Sequence, residues 1–246
     1  MRLRDRVRKD GPSKEQWENL MLTAQKMYQP VRWSIPADFM QYSHFCRVLR
    51  KIDWTSSPGY PYMLRAPTNA IFFRVKEGIP DPERMVDVWE MVRQQVLDQR
   101  SDPIRLFIKP EPHKLKKLEE GRYRLISSVS IVDQIIDHML FDDMNDQFIQ
   151  NWVDVPPKVG WSQYGGGWRC MPREKWLAID KSGWDWSVNA WLVDMVFNLR
   201  VRLCENMTKE WLELAQWRYK ALFKDPVFIT SGGLCLRQRN PGVMKS

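Results

Sequence analysis

The chain has 246 residues, a mass of 29.4 kDa and a net charge of +8 at pH 7, with 43% apolar and 28% charged side chains. That balance excludes a disordered chain, and no run approaches the roughly 18 apolar residues of a membrane-spanning helix. The basic start from Met1 to Asp10 lacks the apolar core of a signal peptide, and Cys46, Cys170, Cys204 and Cys235 are too far apart for a disulfide framework or a zinc knuckle, so a reducing, cytosolic setting is the simplest reading.

In chain order, Ser13 with Gln16 three residues on is a capping-box pattern that predicts a helix over 14–28. A second helix is expected over 37–51, entered through Pro36. Ser56 to Pro61 reads as an ordered Pro/Gly-rich loop, and Asp81-Pro82-Glu83 opens a helix running to Gln99. Short strands are expected at 104–109 and 122–127. Over 130–149, Val132, Ile135, Ile136, Met139 and Leu140 form one apolar stripe of a helix, and a second ordered loop follows over 155–167. Residues 175–180 read as a strand, 187–206 as an amphipathic helix, and 209–224 as a helix capped by Thr208. The strands 226–230 and 234–238 flank Ser231-Gly232-Gly233 as a hairpin. The mixture is α+β with helices in the majority.

Charge is segregated along this order. Residues 1–54 hold eleven basic and six acidic side chains, and 109–130 hold six and three. Residues 131–160 reverse the sign with six acidic against one basic, and 217–246 return to six basic against one acidic. Such basic segments suit a phosphate-binding surface, the reading preferred here by a small margin over a solvated basic face.

Four segments could carry chemistry. Asp180-Lys-Ser-Gly-Trp-Asp185 places two carboxylates at a strand-to-helix junction, where a Mg²⁺ ion could be held. Roughly three or four acid pairs at this spacing arise by chance in such a chain, so helix-capping surface acids are the plain alternative. Lys109 to Arg124 gathers six cations between two short strands, where they could neutralise a triphosphate or simply be a solvated loop, and Pro110 and Pro112 stiffen it. Thr55 to Tyr62 offers hydroxyls, backbone N–H groups and aromatics suited to a single-stranded backbone, or a rigid turn. Arg237 to Ser246 reads as a strand, then Pro241-Gly242, then a small hydroxyl residue where a helix should begin. His113 and His138 have no partner at metal-ligand spacing and read as structural.

In this order the four segments resemble the polymerase motifs of positive-strand RNA viruses, most of all the RNA-dependent RNA polymerases of the sobemovirus and polerovirus group, sobemo-like viruses of invertebrates included. The similarity extends over residues 50–246. Thr55 to Tyr62 resembles the template-entry motif G, which implies Thr55, Ser56, Ser57, Gly59 and Tyr60 as RNA contacts. Lys109 to Ile126 resembles the fingers motif F, which implies Lys109, Lys114, Arg122 and Arg124 at the phosphates of the incoming NTP and Lys116 and Lys117 at RNA. Asp180 to Ser187 resembles the palm motif A, in which Asp180 would bind Mg²⁺ (or Mn²⁺) and Asp185 would sense the ribose 2′-hydroxyl. Asn240 to Ser246 resembles the opening of motif B, with Ser246 beginning the loop that positions template and nucleotide. The pairing of this motif A with Pro241-Gly-Val-Met-Lys-Ser246 is specific to the group. Two departures stand out. Trp184 sits where the group has Phe, and the Gly-Asp-Asp tripeptide is absent, as is the motif B Asn that partners Asp185.

The resemblance implies the fingers and part of the palm of a right-hand polymerase, with residues 1–170 as N-terminal region and fingers and 171–246 as the start of the palm, cut off in motif B with the thumb missing. It implies template-directed phosphodiester formation from NTPs by a two-metal mechanism in the complete protein, and an inactive fragment. The implied partners are the RNA template and nascent strand, NTPs, and a viral protein primer or upstream polyprotein regions. The implied location is a replication complex in the host cell cytoplasm, tied to membrane through other proteins. Two rivals remain: a non-catalytic basic RNA-binding protein, and a reverse transcriptase. Asp185 speaks against the latter, which excludes the 2′-hydroxyl with a bulky side chain at that place.

Overall fold

Local capping signals decide where most of the helices start. The structure, a computed structural model, describes residues 10–121, 123–171, 173–180, 184 and 188–238. Ser13 Oγ accepts from the Gln16 N–H at 3.2 Å while Gln16 Oε1 accepts from the Ser13 N–H at 2.9 Å, and α1 (Lys14–Met27) follows. Asp81 caps α4 (Pro82–Asp98) by accepting from the Arg84 N–H at 2.9 Å, with Pro82 in the first turn, where no N–H is needed. Ser130 caps α6 (Ile131–Gln150) and Thr208 caps α8 (Lys209–Tyr219) in the same way.

Several expected elements are corrected. Helix α2 covers only Tyr42–Leu49, because Met40 at φ 55 is left-handed and no helix continues through it. The Asp38 carboxylate accepts from the Ser43 hydroxyl at 2.8 Å and from both terminal nitrogens of Arg47 at 2.7 Å, holding the chain outside the helix. Helix α7 (Ala190–Leu203) lies within its expected span, whereas α8 ends at Tyr219 and widens into a single π-type turn over Lys220–Lys224. The run 175–180, expected as a strand, is irregular and largely exposed. A strand is kept by its ladder, and the four-stranded sheet leaves this run outside.

That sheet has the order β2-β1-β3-β4. Strand β1 (Ile104–Ile108) pairs antiparallel with β2 (Leu125–Ser128) and parallel with β3 (Val227–Thr230), where Arg105 faces Ile229. The hairpin expected near the end is present, with β4 (Cys235–Arg237) antiparallel to β3. Two short helices, α3 (Asn69–Phe72) and α5 (Leu115–Glu119), interrupt loops.

Helix α6 is the spine. It buries all five residues of the expected stripe, Val132, Ile135, Ile136, Met139 and Leu140, and adds Ile131, Phe141 and Met144, and it packs against α2, α4 and α8. Trp211 of α8 is buried beside it, its indole N–H donating to the Leu140 carbonyl at 2.9 Å and its ring 5.0 Å from that of Trp33. The N-terminal segment is stitched to the same place. Trp33 N–H donates to the Leu203 carbonyl, and the Asn206 side chain both donates to and accepts from the Ile35 backbone. Core residues therefore come from both sides of residue 170.

The acidic charge of α6 turns inward. Arg218 of α8, 1% exposed, donates to Asp133 at 2.7 Å, to Asp137 at 2.6 and 2.9 Å, and to the Ser101 hydroxyl at 2.6 Å. Asp133 also accepts from the Asp102 N–H at 2.9 Å. Farther along, Lys51 pairs with Asp142 and Asp146 at 3.0 and 2.7 Å. Much of the acidic field expected over 131–160 is consumed internally.

Candidate functional site

The β1–β2 hairpin carries the basic segment at its tip. Its ladder continues one step past the strands, with the Lys109 N–H donating to the Arg124 carbonyl at 2.9 Å, so the two cations leave the sheet side by side. Glu111 lies between them. Lys109 Nζ is 2.9 Å from its carboxylate and Arg124 Nη1 is 3.1 Å away. The Lys109 hydrogen bond, helped by the charge of Arg124, holds the Glu111 carboxyl below its usual range. A carboxylate accepting from two cations occupies the kind of position that a phosphate oxygen would take.

Lys114 immediately precedes α5, and Lys116 and Lys117 lie on it, all three exposed. A short helix not expected from the sequence lies within this loop, and its cations are exposed. The His113 ring meets that of Tyr123 edge-on at 5.9 Å, joining the two limbs of the loop. Arg122 lies outside the described residues. Glu111 was visible in the sequence only as one acid among many basic neighbours. Its role as a counter-ion depends on the hairpin register, which brings residues 109 and 124 together.

Thr55 to Pro61 forms a second, separately braced loop. The Asp53 carboxylate accepts from the Thr55 N–H at 2.9 Å, the Thr55 hydroxyl at 2.7 Å and the Ser56 hydroxyl at 2.5 Å. Thr55, Ser56 and Ser57 are exposed, Tyr60 is half-buried, and Pro58 and Gly59 are buried against the start of α6. Gly59 sits at φ 68, and a Cβ there would meet the Val129 carbonyl oxygen at 2.7 Å, so both backbone and packing require glycine. The Pro58 carbonyl accepts from the Ile131 N–H at 2.8 Å. The two loops thus sit at opposite ends of β2.

The hydroxyl and N–H donors hold the Asp53 carboxyl down at about 2, against an ordinary 3.8. For a carboxyl lowered in this way, the contribution to loop order is fully present above about pH 4 and is lost as pH falls toward 2. Limited proteolysis at residues 55–61 should therefore accelerate over that window. In Asp53→Asn it should be fast at every pH, and a pH-independent difference from the parent chain would refute the assignment.

Asp180 is exposed and has no ion pair among the described residues. Asp185 and Ser246 lie outside the described residues, as do Lys181 to Gly183 and the segment Arg239 to Ser246. No group of three or more His, Cys, Asp or Glu able to hold a metal ion occurs among the described residues. One exposed carboxylate is a ligand and not a site, so the described residues alone do not fit a divalent ion. None of the described helices is long and apolar enough to cross a membrane.

The sequence model of one family, described as viral RNA-dependent RNA polymerase, matches residues 14–240. The chain is 32% identical to Protein P1-P2 of Pea enation mosaic virus-1 over 96% of its own length and 23% of that protein. It is 32% identical to the replicase polyprotein P2AB of Southern cowpea mosaic virus, covering 87% of the chain and 24% of the polyprotein. It is 38% identical to Protein P1-P2 of Potato leafroll virus, covering 59% of the chain and 15% of that protein. The chain thus spans a quarter or less of these curated relatives. It shares its fold with a Sicinivirus 3Dpol RNA dependent RNA polymerase, with a TM-score of 0.66 at 15% identity, over 96% of this chain and 49% of that one.

Proposed function

Because this chain belongs to the viral RNA-dependent RNA polymerase family, we propose that it supplies the fingers and the start of the palm of a replicase that joins NTPs on an RNA template. Residues 1–170 are the N-terminal region and fingers in this reading, and 171–246 begin the palm. The observation that carries it is the tip of the β1–β2 hairpin, where Lys109 and Arg124 share one internal carboxylate and Lys114, Lys116 and Lys117 face solvent. An incoming triphosphate would take the place of Glu111 at Lys109 and Arg124, with Arg122 and Lys114 nearby in the chain. Single-stranded template would pass Thr55, Ser56, Ser57 and Tyr60, and Lys116 and Lys117 would meet its phosphates.

Asp180 would supply one ligand to a Mg²⁺ or Mn²⁺ ion, whose chemistry when bound is to stabilise charge on the transferring phosphoryl group. Its remaining ligands would come from outside the described residues. Asp185 would read the ribose 2′-hydroxyl and Ser246 would open the loop beneath the nucleotide. Template RNA, nascent strand and NTPs are the partners of this reading, a viral protein primer or upstream polyprotein region is a further one, and the host cell cytoplasm is the setting.

Titration of the 246-residue chain with an NTP tests the phosphate loop directly. Arg124→Ala should weaken binding about tenfold or more, since a charge-assisted hydrogen bond contributes about 1.5–3 kcal/mol. Lys109→Ala should act in the same direction. Unchanged affinity in both variants would move the triphosphate elsewhere.

A further inference from the structure

Between α6 and the palm segment lies a folded loop that neither proposed contact uses. Its two most exposed rings are Tyr164, 91% exposed, and Trp168, 61% exposed. The loop is held in shape. Trp168 meets Trp161 edge to face with ring centroids 5.3 Å apart, and the Gly167 N–H donates to the Ser162 carbonyl at 3.1 Å. Lys158 Nζ donates to the carbonyls of Trp152 and Val153 at 3.1 and 2.9 Å.

The glycines separate structure from another requirement. A side chain at Gly160 would strike the Ile149 carbonyl oxygen, one at Gly167 would strike the Ser162 carbonyl oxygen, and Gly166 stands at φ 80. Gly165 is different. It is not left-handed, and a Cβ there would meet nothing nearer than Ser162 Cβ at 4.0 Å. Neither backbone nor packing explains a glycine at this position, between Tyr164 and Trp168 in the chain. An absent side chain there leaves the backbone open to close approach from outside.

We propose that this loop is an additional contact for single-stranded RNA, with bases stacking on Tyr164 and Trp168 and the strand passing over Gly165. The inference rests on the polymerase reading, which supplies RNA as the partner. Stacking on exposed aromatics is sequence-tolerant because every base has a π face. The charge is complementary. Arg169, Arg173 and Lys175 are exposed, and Glu174 is the one acid in 155–179. Within 162–170 the rings have no aliphatic neighbour in the chain, the large exposed aliphatics of 155–179 being Val159, Leu177 and Ile179, so a protein partner is an outcome of the test and not the proposal.

Fluorescence anisotropy with a short labelled oligouridine, read across a salt series, tests this on the 246-residue chain. Tyr164→Ala should weaken binding about tenfold with an unchanged salt slope, because a stacked ring and not a phosphate contact is lost. Gly165→Leu should weaken binding similarly and leave thermal unfolding where it was. Replacing Lys114, Lys116 and Lys117 together by Ala should flatten the salt slope instead. If that triple variant weakens binding while Tyr164→Ala and Gly165→Leu bind like the parent, the loop contact is overturned and the polymerase reading stands. A parent chain that binds no oligouridine overturns both. Loss of folding in Gly165→Leu would show that the fold itself needs this glycine and would remove the argument.

Discussion

Replacing Arg218 by Met should lower the stability of the fold by about 3–5 kcal/mol, the usual cost of leaving a buried charge without its partner. The guanidinium is 1% exposed and donates to two carboxylates and a hydroxyl, so its loss leaves the buried Asp133 beside the half-buried Asp137 with no counter-charge. A change of that size should lower the midpoint of thermal unfolding by roughly 6–20 °C in a chain of this length. A fall of only a degree or two would mean that the cluster contributes little. Burial opposes the charge of Arg218, but Asp137 and Asp133 keep it protonated, its pKa raised above the ordinary arginine value.

Asp133 should behave differently from its partner. Burial pushes its carboxyl up to about 7 against the pull of Arg218, with Asp137 and Asp102 adding repulsion. A carboxyl raised on folding favours the folded state most below its unfolded value of 3.8, and that advantage is lost as pH rises toward 7. The stability of Asp133→Asn relative to the parent should therefore improve from pH 5 to pH 8. Denaturant titrations at the two values would read it, and a constant or opposite difference would contradict the sign.

In the complete polymerase of this reading, Asp180→Ala should reduce RNA synthesis by roughly a thousandfold or more, because a carboxylate proposed to hold the metal ion that would stabilise charge on the transferring phosphoryl group is lost. The carboxylate is exposed and has no ion pair among the described residues, so the variant should fold normally. Full activity would strip Asp180 of the assigned role. The 246-residue chain alone, which contains no Gly-Asp-Asp, should give no template-dependent incorporation. Incorporation by this chain would overturn that expectation.

What the sequence made legible was mostly local. Ser13 with Gln16, Asp81 before Pro82, and the glycines between β3 and β4 each specify a cap or turn through neighbours in the chain. What it hid depends on distant partners. Met40 is an ordinary helix former by type, and its left-handed backbone follows from how Asp38 is held by Arg47 and Ser43. The run 175–180 has strand-forming residues but no place in the sheet. Arg218 counted toward a basic terminal segment and Asp133 and Asp137 toward an acidic one, yet the three pair with one another, Arg218 and Asp133 fully buried. Of the candidate site, the cations of the hairpin tip were legible as a charge run, whereas Glu111 required the strand register. Arg122, Asp185 and Ser246 lie outside the described residues, and their roles still rest on motif resemblance.

The stitching of Trp33 and Ile35 to residues 203–206, together with the parallel pairing of β1 and β3, has a consequence for synthesis on the ribosome. These contacts join parts of the chain far apart in sequence, and loops of that length must close before the contacts stabilise anything. Trp33 has no Leu203 and β1 has no β3 until residues 203 and 227–230 have left the exit tunnel. Before residues 209–219 emerge, α6 has α2 and α4 to pack against but lacks α8, the third helix that covers it. The nascent chain should pass through a long interval of exposed core, a state that invites chaperone binding and punishes a premature stop.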